Sequence, residues 1–162
     1  MRAAAGLIVL LMFSVWGVRR RAMLKRRCGL IGELRLMLEH YSIEIACTAP
    51  TLEQLAAGTC GEFGGRLRTC AAEEPDIRRA WSSAVQQLSE LPYCRKDEAE
   101  LLSELGRSLG TCPAESEVAL LRLYSEKLDR LYDQAEKDSD RRGRLYSSGG
   151  VLAGLAAAVL LL

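Results

Sequence analysis

The chain has 162 residues, 49% of them apolar and 27% charged, with a formal net charge of +1. The near-neutral total hides segregation: all 21 acidic residues lie between Glu33 and Asp140, where 12 basic residues leave a net of −9. That balance excludes nucleic-acid binding through a continuous basic face, which a phosphate backbone needs, and the composition excludes disorder and collagen-like repetition.

Residues 3–18, AAAGLIVLLMFSVWGV, carry no charge. As a helix they span roughly 24 Å at ~1.5 Å per residue, short of a ~30 Å hydrocarbon core. Snorkelling of Arg2 and of the arginines from position 19, with Trp16 at headgroup level, makes up the difference. Residues 1–18 are therefore read as an N-terminal membrane anchor. A cleaved signal peptide is the competing reading; the six bases within residues 19–27 and the lack of an A-x-A-like site before them argue against it. Residues 19–28 form a basic juxtamembrane collar, expected to stay near anionic lipid at about 1 kcal/mol per base.

Residues 29–140 read as a helical domain. Apolar positions 30, 34, 37, 38, 41 and 45 follow a helical period over about 29–47, with Leu34, Leu38 and Tyr41 in the core, until Pro50. Thr51 and Gln54 form a capping box for a short helix over 52–57. Residues 58–65 contain four glycines and read as a loop or frayed turn, followed by a short helix anchored by Phe63 and Leu67. Pro75 suits the first turn of the next helix, whose stripe centres on Trp81 and ends at Pro92. Asp97 is the expected cap of a helix with Glu100 at its third position, burying Leu101, Leu102, Leu105 and Leu109 and closed by Gly110. A last helix starts near Pro113, with Glu115 and Glu117 suited to its dipole, and buries Leu121, Tyr124, Leu128, Leu131 and Ala135. Glu126 with Arg130, Asp133 with Lys137 and Asp138 with Arg142 stand in the favourable i to i+4 order.

At 138 and 142 the seam turns charged, so this helix leaves the bundle and continues toward the membrane, as one rod or with bends at Gly143, Gly149 and Gly150. Residues 141–146 are a basic juxtamembrane segment. Residues 147–162, SSGGVLAGLAAAVLLL, read as a C-terminal anchor in which Gly150, Gly154 and Ala158 offer a small-residue face for helix packing in lipid. Both collars face the middle, so the positive-inside tendency places residues 19–146 in the cytoplasm. No period-two pattern appears. The class is all-α: one bundle of about six helices flanked by two transmembrane helices.

The chemistry of an enzyme is missing. Cys28, Cys47, Cys60, Cys70, Cys94 and Cys112 include no C-x-x-C pair, and His40 has no cysteine within one helical turn, so no metal site is read. Scattered thiols fit a reducing compartment. His40, Glu39, Glu44 and Ser42 lack a third partner for acid–base work, residues 61–65 lack the Gly-Lys-Ser/Thr ending of a phosphate loop, and no cofactor is expected. An acidic helical domain is instead suited to docking a partner with a basic surface. The candidate residues are Glu98 and Glu104 on the 97–109 helix, and Glu126, Asp129, Asp133 and Glu136 on the last helix. The alternatives are a secreted, disulfide-stabilised helical protein with a cleaved leader, and a metal-dependent regulator using the cysteines.

The order of features carries a resemblance. An N-terminal anchor and basic collar precede Leu34-Arg35 and Glu44-Ile45, then Ala80-Trp81 and Leu105-Gly106-x-x-Leu109-Gly110. A long charged helix and Leu152-Ala153-Gly154-Leu155 complete the set. Over nearly its full length the chain resembles the stage III sporulation protein AB family, although the cysteines and the glycines of 58–65 depart from the family's pattern. The resemblance implies a noncatalytic membrane component of the mother-cell to forespore channel complex of endospore-forming bacteria, located in the mother-cell membrane facing the forespore. It also implies a soluble part similar to the F domain of type II secretion platform proteins, which engage a cytoplasmic secretion ATPase. The implied partners are a sporulation ATPase and other membrane components of the complex. Room for one such domain, where platform proteins carry two, implies self-association.

Overall fold

The computed structural model describes the backbone over residues 2–48 and 50–161, and the side chains of residue 12 and of residues 15–48 and 50–141. Among the described residues it is all-α, with no strand. The helices are α1 (Arg2–Thr48), α2 (Leu52–Gly58), α3 (Gly61–Glu73), α4 (Ile77–Ser89), α5 (Lys96–Ser108) and α6 (Ala114–Leu161). The chain divides into a domain unit, Gly29–Asp133, and a terminal unit made of Met1–Cys28 and Gln134–Leu162.

The core of the domain unit follows the apolar stripes of its helices. Of the side chains expected inside, Leu34, Leu38, Tyr41, Trp81, Leu102, Leu105, Leu121, Tyr124 and Leu128 are buried, whereas Leu131 is only half-buried. Trp81 is the hub. Its indole N–H donates to the Leu102 carbonyl at 2.8 Å, and its ring meets Phe63 edge-on, 5.0 Å between centroids. On α5 the indole lies directly over Gly106, where a Cβ would collide with its ring atoms. Trp81 thus ties α3, α4 and α5 together, and the absence of a side chain at Gly106 permits the close approach.

Helix ends are held by side chains, as four orphan amides or carbonyls at each terminus require. Thr51 and Gln54 close the expected capping box on α2, the Thr51 N–H donating to Gln54 Oε1 at 2.9 Å and the Gln54 N–H to Thr51 Oγ1 at 3.4 Å. Arg78, in the first turn of α4, donates to the carbonyls of Arg107 at 3.2 Å and Leu109 at 3.0 Å, and so caps the end of α5. Gly110 follows with φ +71°, a left-handed conformation that glycine adopts without steric cost.

Several boundaries differ from the sequence reading. The expected loop over 58–65 is helical from Gly61 onward, because the Glu33 carboxylate of α1 reaches across and accepts from the Glu62 N–H at 2.8 Å. Glu62 is further fixed by the Tyr93 hydroxyl, which donates to its carboxylate at 2.7 and 2.8 Å. Pro75 lies ahead of α4 rather than in its first turn, since Asp76 is the N-cap and accepts from the Arg78 N–H at 3.0 Å. The α5 bracket is shifted by two residues from the Asp97–Glu100 expectation: Arg95 is the N-cap, and its N–H donates to Glu98 Oε2 at 2.6 Å. The backbone of α6 is one helix through Gly143, Gly149 and Gly150 to Leu161.

In the terminal unit Arg27 is 3% exposed and faces Asp138, 4.0 Å away. This member of the basic collar is therefore turned inward, while Arg19, Arg20, Arg21, Lys25 and Arg26 stay exposed. Residues 134–140, grouped with the helical domain on sequence grounds, belong to this unit. Burial pushes the Cys28 thiol up from its ordinary pKa, and nearby Glu136 and Asp140 add to the shift while Arg27 opposes it. No helix of the described residues is long and apolar enough to cross a membrane. The expected anchors, residues 1–18 and 147–162, with the packing face of Gly150, Gly154 and Ala158, fall almost wholly outside the residues whose side chains are described.

A methyl group at Gly106 must displace the indole. Gly106→Ala is expected to destabilise the domain by about 1–3 kcal/mol, the range for overpacking a tight core. A lowered urea midpoint with Trp81 fluorescence shifted to the red is the expected readout, and an unchanged midpoint would remove Trp81 from its place at the centre.

Candidate partner-binding surface

The acidic candidates on α6 share a stripe because Glu126, Asp129, Asp133 and Glu136 recur at spacings of three and four. The core side of the same helix carries Leu121, Tyr124, Leu128 and Ala135, so helical periodicity alone sends the acids away from it. Glu126, Asp133 and Glu136 are exposed. Glu136 belongs to the terminal unit; the others belong to the domain unit.

Not every candidate is available to a partner. Glu98 is fully buried, and its carboxylate is committed to the start of α5, so it is removed from the acidic face. An acid at the third helical position both accepts the N-cap amide and complements the helix dipole, which explains a carboxylate in so dry a place. Asp129 is held by Arg35, 2.5 Å from the guanidinium, while the same Arg35 lies 4.8 Å over the Tyr132 ring. Glu104 faces Lys127 at 3.8 Å with both side chains about half exposed. Among the described residues the expected pairs Glu126–Arg130 and Asp133–Lys137 form no ion pair, whereas Arg35–Asp129 and Glu104–Lys127 join different helices and Arg27 meets Asp138 in the terminal unit. The side chain of Arg142, the expected partner of Asp138, lies outside the described residues. Exposed i to i+4 pairs are worth only a few tenths of a kcal/mol, too little to dictate these rotamers.

Sequence reasoning missed two polar centres. Glu117 is 9% exposed and accepts from the Gly110 N–H, closing the α5–α6 connection instead of facing solvent. Thr59 is buried between α2 and α3: its hydroxyl meets the Tyr41 hydroxyl and donates to the Leu55 carbonyl at 2.8 Å, while the Arg68 guanidinium donates to the Thr59 carbonyl. Burial pushes the Tyr41 phenol up to about 12. The Tyr41–Thr59 contact spans 18 positions and the Gly110–Glu117 contact seven, and no short motif announces either.

His40 approaches Glu44 at 3.6 Å on an exposed face. No disulfide joins the six cysteines, and among the described residues no three metal-binding side chains converge. A mainly apolar recess of about 230 Å³ lies between α1 and the α2–α3 junction, lined by Leu36, Met37, Tyr41, Gly58 and Cys60.

Among the described residues the protein is an all-α domain with an acidic excess, flanked in sequence by basic stretches and apolar ends. The sequence profile of the stage III sporulation protein AB family matches residues 2–162, and the chain belongs to that family. No curated protein and no solved structure shows a significant match to the chain.

Removing the buried acid should cost more than removing the exposed one. Glu98→Ala is expected to lose about 1–2 kcal/mol, the usual value of a helix cap, and Glu104→Ala under about 0.5 kcal/mol. Urea unfolding followed by circular dichroism measures both, and equal effects would mean that Glu98 does not hold α5. The Tyr41 phenol has a folded-state pKa above the ~10 of a free phenol, so its contribution is fully present below that pH and is lost as pH rises through about 12. Tyr41→Phe should therefore flatten the alkaline loss of stability, with one fewer late-titrating phenol in ultraviolet absorbance.

Proposed function

We propose that the chain is a noncatalytic, membrane-tethered platform in the secretion-like channel of endospore formation, and that its domain unit docks a cytoplasmic secretion ATPase. The observation that carries the reading is electrostatic. The domain unit holds 18 acidic and 11 basic residues, a net of −7, whereas the terminal unit is basic, with 11 bases and three acids. Within the domain unit Glu126 and Asp133 stand exposed, and among the described residues no ion pair engages them. Long-range attraction from such a surface speeds encounter with a basic partner and fixes its orientation.

Tethering at residues 1–18 and 147–162 completes the proposal, with the domain unit on the cytoplasmic side and a fold related to the F domain of type II secretion platform proteins. Two features support it. The exposed bases Arg19, Arg20, Arg21, Lys25 and Arg26 lie where lipid phosphates would hold them. Met12, Val15 and Val18 are each more than 60% exposed, an arrangement that water penalises and hydrocarbon does not.

Co-purification of the sporulation ATPase with the chain from sporulating cells tests the docking surface. Glu126→Lys with Asp133→Lys is expected to reduce recovery about tenfold or more, the equivalent of about 1.4 kcal/mol, with helix content unchanged. Unaltered recovery would discard the α6 surface. Protease added outside intact spheroplasts should leave residues 29–133 uncut, and digestion there would overturn the orientation.

A further inference from the structure

The solvent side of α1 is unlike that of an ordinary bundle helix. Opposite its core residues runs a line of Leu36, His40, Ile43 and Cys47, spaced four, three and four, the spacing of a helix-pairing seam. Leu36 is 67% and Ile43 57% exposed; His40 and Cys47 are exposed beside them. A solvated helix face normally carries polar groups, and these two large apolar side chains are not scattered but stand two turns apart on one stripe. Leu36 also forms the ridge between two grooves: the apolar recess of about 230 Å³ toward Cys60, and one of about 400 Å³ that reaches Leu121 on α6.

The flanks decide what fits. Glu33, Glu39 and Glu44 border the stripe, and Arg35 is already engaged by Asp129 and Tyr132. We propose that the Leu36–Ile43 ridge of α1 is a docking site for an amphipathic helix of another protein, one whose apolar stripe is flanked by lysines or arginines. A second copy of this face would set Glu39 and Glu44 against their own counterparts, and like charges at such positions oppose pairing. An anionic bilayer is repelled by the same acids. A basic-flanked helix meets neither obstacle: it covers Leu36 and Ile43, enters the adjoining grooves and pairs its flanks with the glutamates. The site stands whether or not Glu126 and Asp133 meet the ATPase.

The test uses the full chain in lipid nanodiscs and two fluorescent helical peptides with the same leucine–isoleucine stripe, one with lysine flanks and one with glutamate flanks. The lysine-flanked peptide is expected to bind at least about tenfold more tightly. Leu36→Ser with Ile43→Ser leaves net charge unchanged and should weaken that binding about tenfold or more; unchanged binding would show mere charge attraction and overturn the proposal. Glu39→Lys with Glu44→Lys should invert the preference between the peptides, and failure to invert would equally overturn it. Should the serine pair abolish self-association in sedimentation while sparing peptide binding, the occupant is a second copy and the proposal falls.

Discussion

The contact between the Trp81 indole and the backbone of α5 at Leu102 and Gly106 is the constraint on which the domain depends. A large aromatic side chain buries well only where its N–H finds an acceptor, and here the acceptor is a helix carbonyl, reachable because position 106 has no Cβ. With Phe63 against the ring edge, one side chain sets the distances among three helices. Arg78, less than one turn away on α4, then takes the carbonyls at the end of α5, so the same pair of helices is joined by an apolar and a polar contact. The surfaces proposed on α1 and α6 are therefore carried by a scaffold whose inner helices are joined by contacts that involve neither surface.

Charge is distributed in a way that separates holding from recognition. Carboxylates that are buried or bound to backbone, Glu33, Glu98 and Glu117, serve helix ends. Those that meet a base on another helix, Asp129 and Glu104, make exposed or half-exposed pairs worth little to stability. Others, among them Glu126 and Asp133 on α6 and Glu39 on α1, are exposed surface charge in no ion pair among the described residues, within a unit whose total is strongly negative. An acidic excess of this kind destabilises the compact state slightly through self-repulsion. Its persistence is understandable if a basic partner neutralises it.

Much of the helical layout was readable from apolar periodicity, since Leu34, Leu38, Tyr41, Trp81, Leu102, Leu105, Leu121 and Leu128 occupy stripes that only one helix face can bury. The Thr51–Gln54 capping box was readable because it is local. The start of α3 was not: four glycines argue for a loop, and the group that overrides them, Glu33, is 29 positions away. The shift of the α5 cap from Asp97 to Arg95 had a similar origin, because Glu98 could bracket the helix while burying its stem beside Leu102, and local preference does not register that gain. The candidate surface was half legible. Sequence located the α6 acids but could not distinguish Glu98, enclosed, from Glu126, open to solvent, and it passed over Leu36 and Ile43, which the helical period sets opposite the buried stripe of α1 but whose exposure the packing decides.

The amide of Glu62 occupies one oxygen of Glu33, at the rim of the recess beside Leu36. A cation arriving there finds a carboxylate whose second oxygen alone is uncommitted to that amide, and any stronger claim on the group loosens the first turn of α3. A basic helix seated on the proposed ridge would therefore compete for the group that starts α3, and protection of the Glu62 amide from hydrogen exchange is where that competition would become visible.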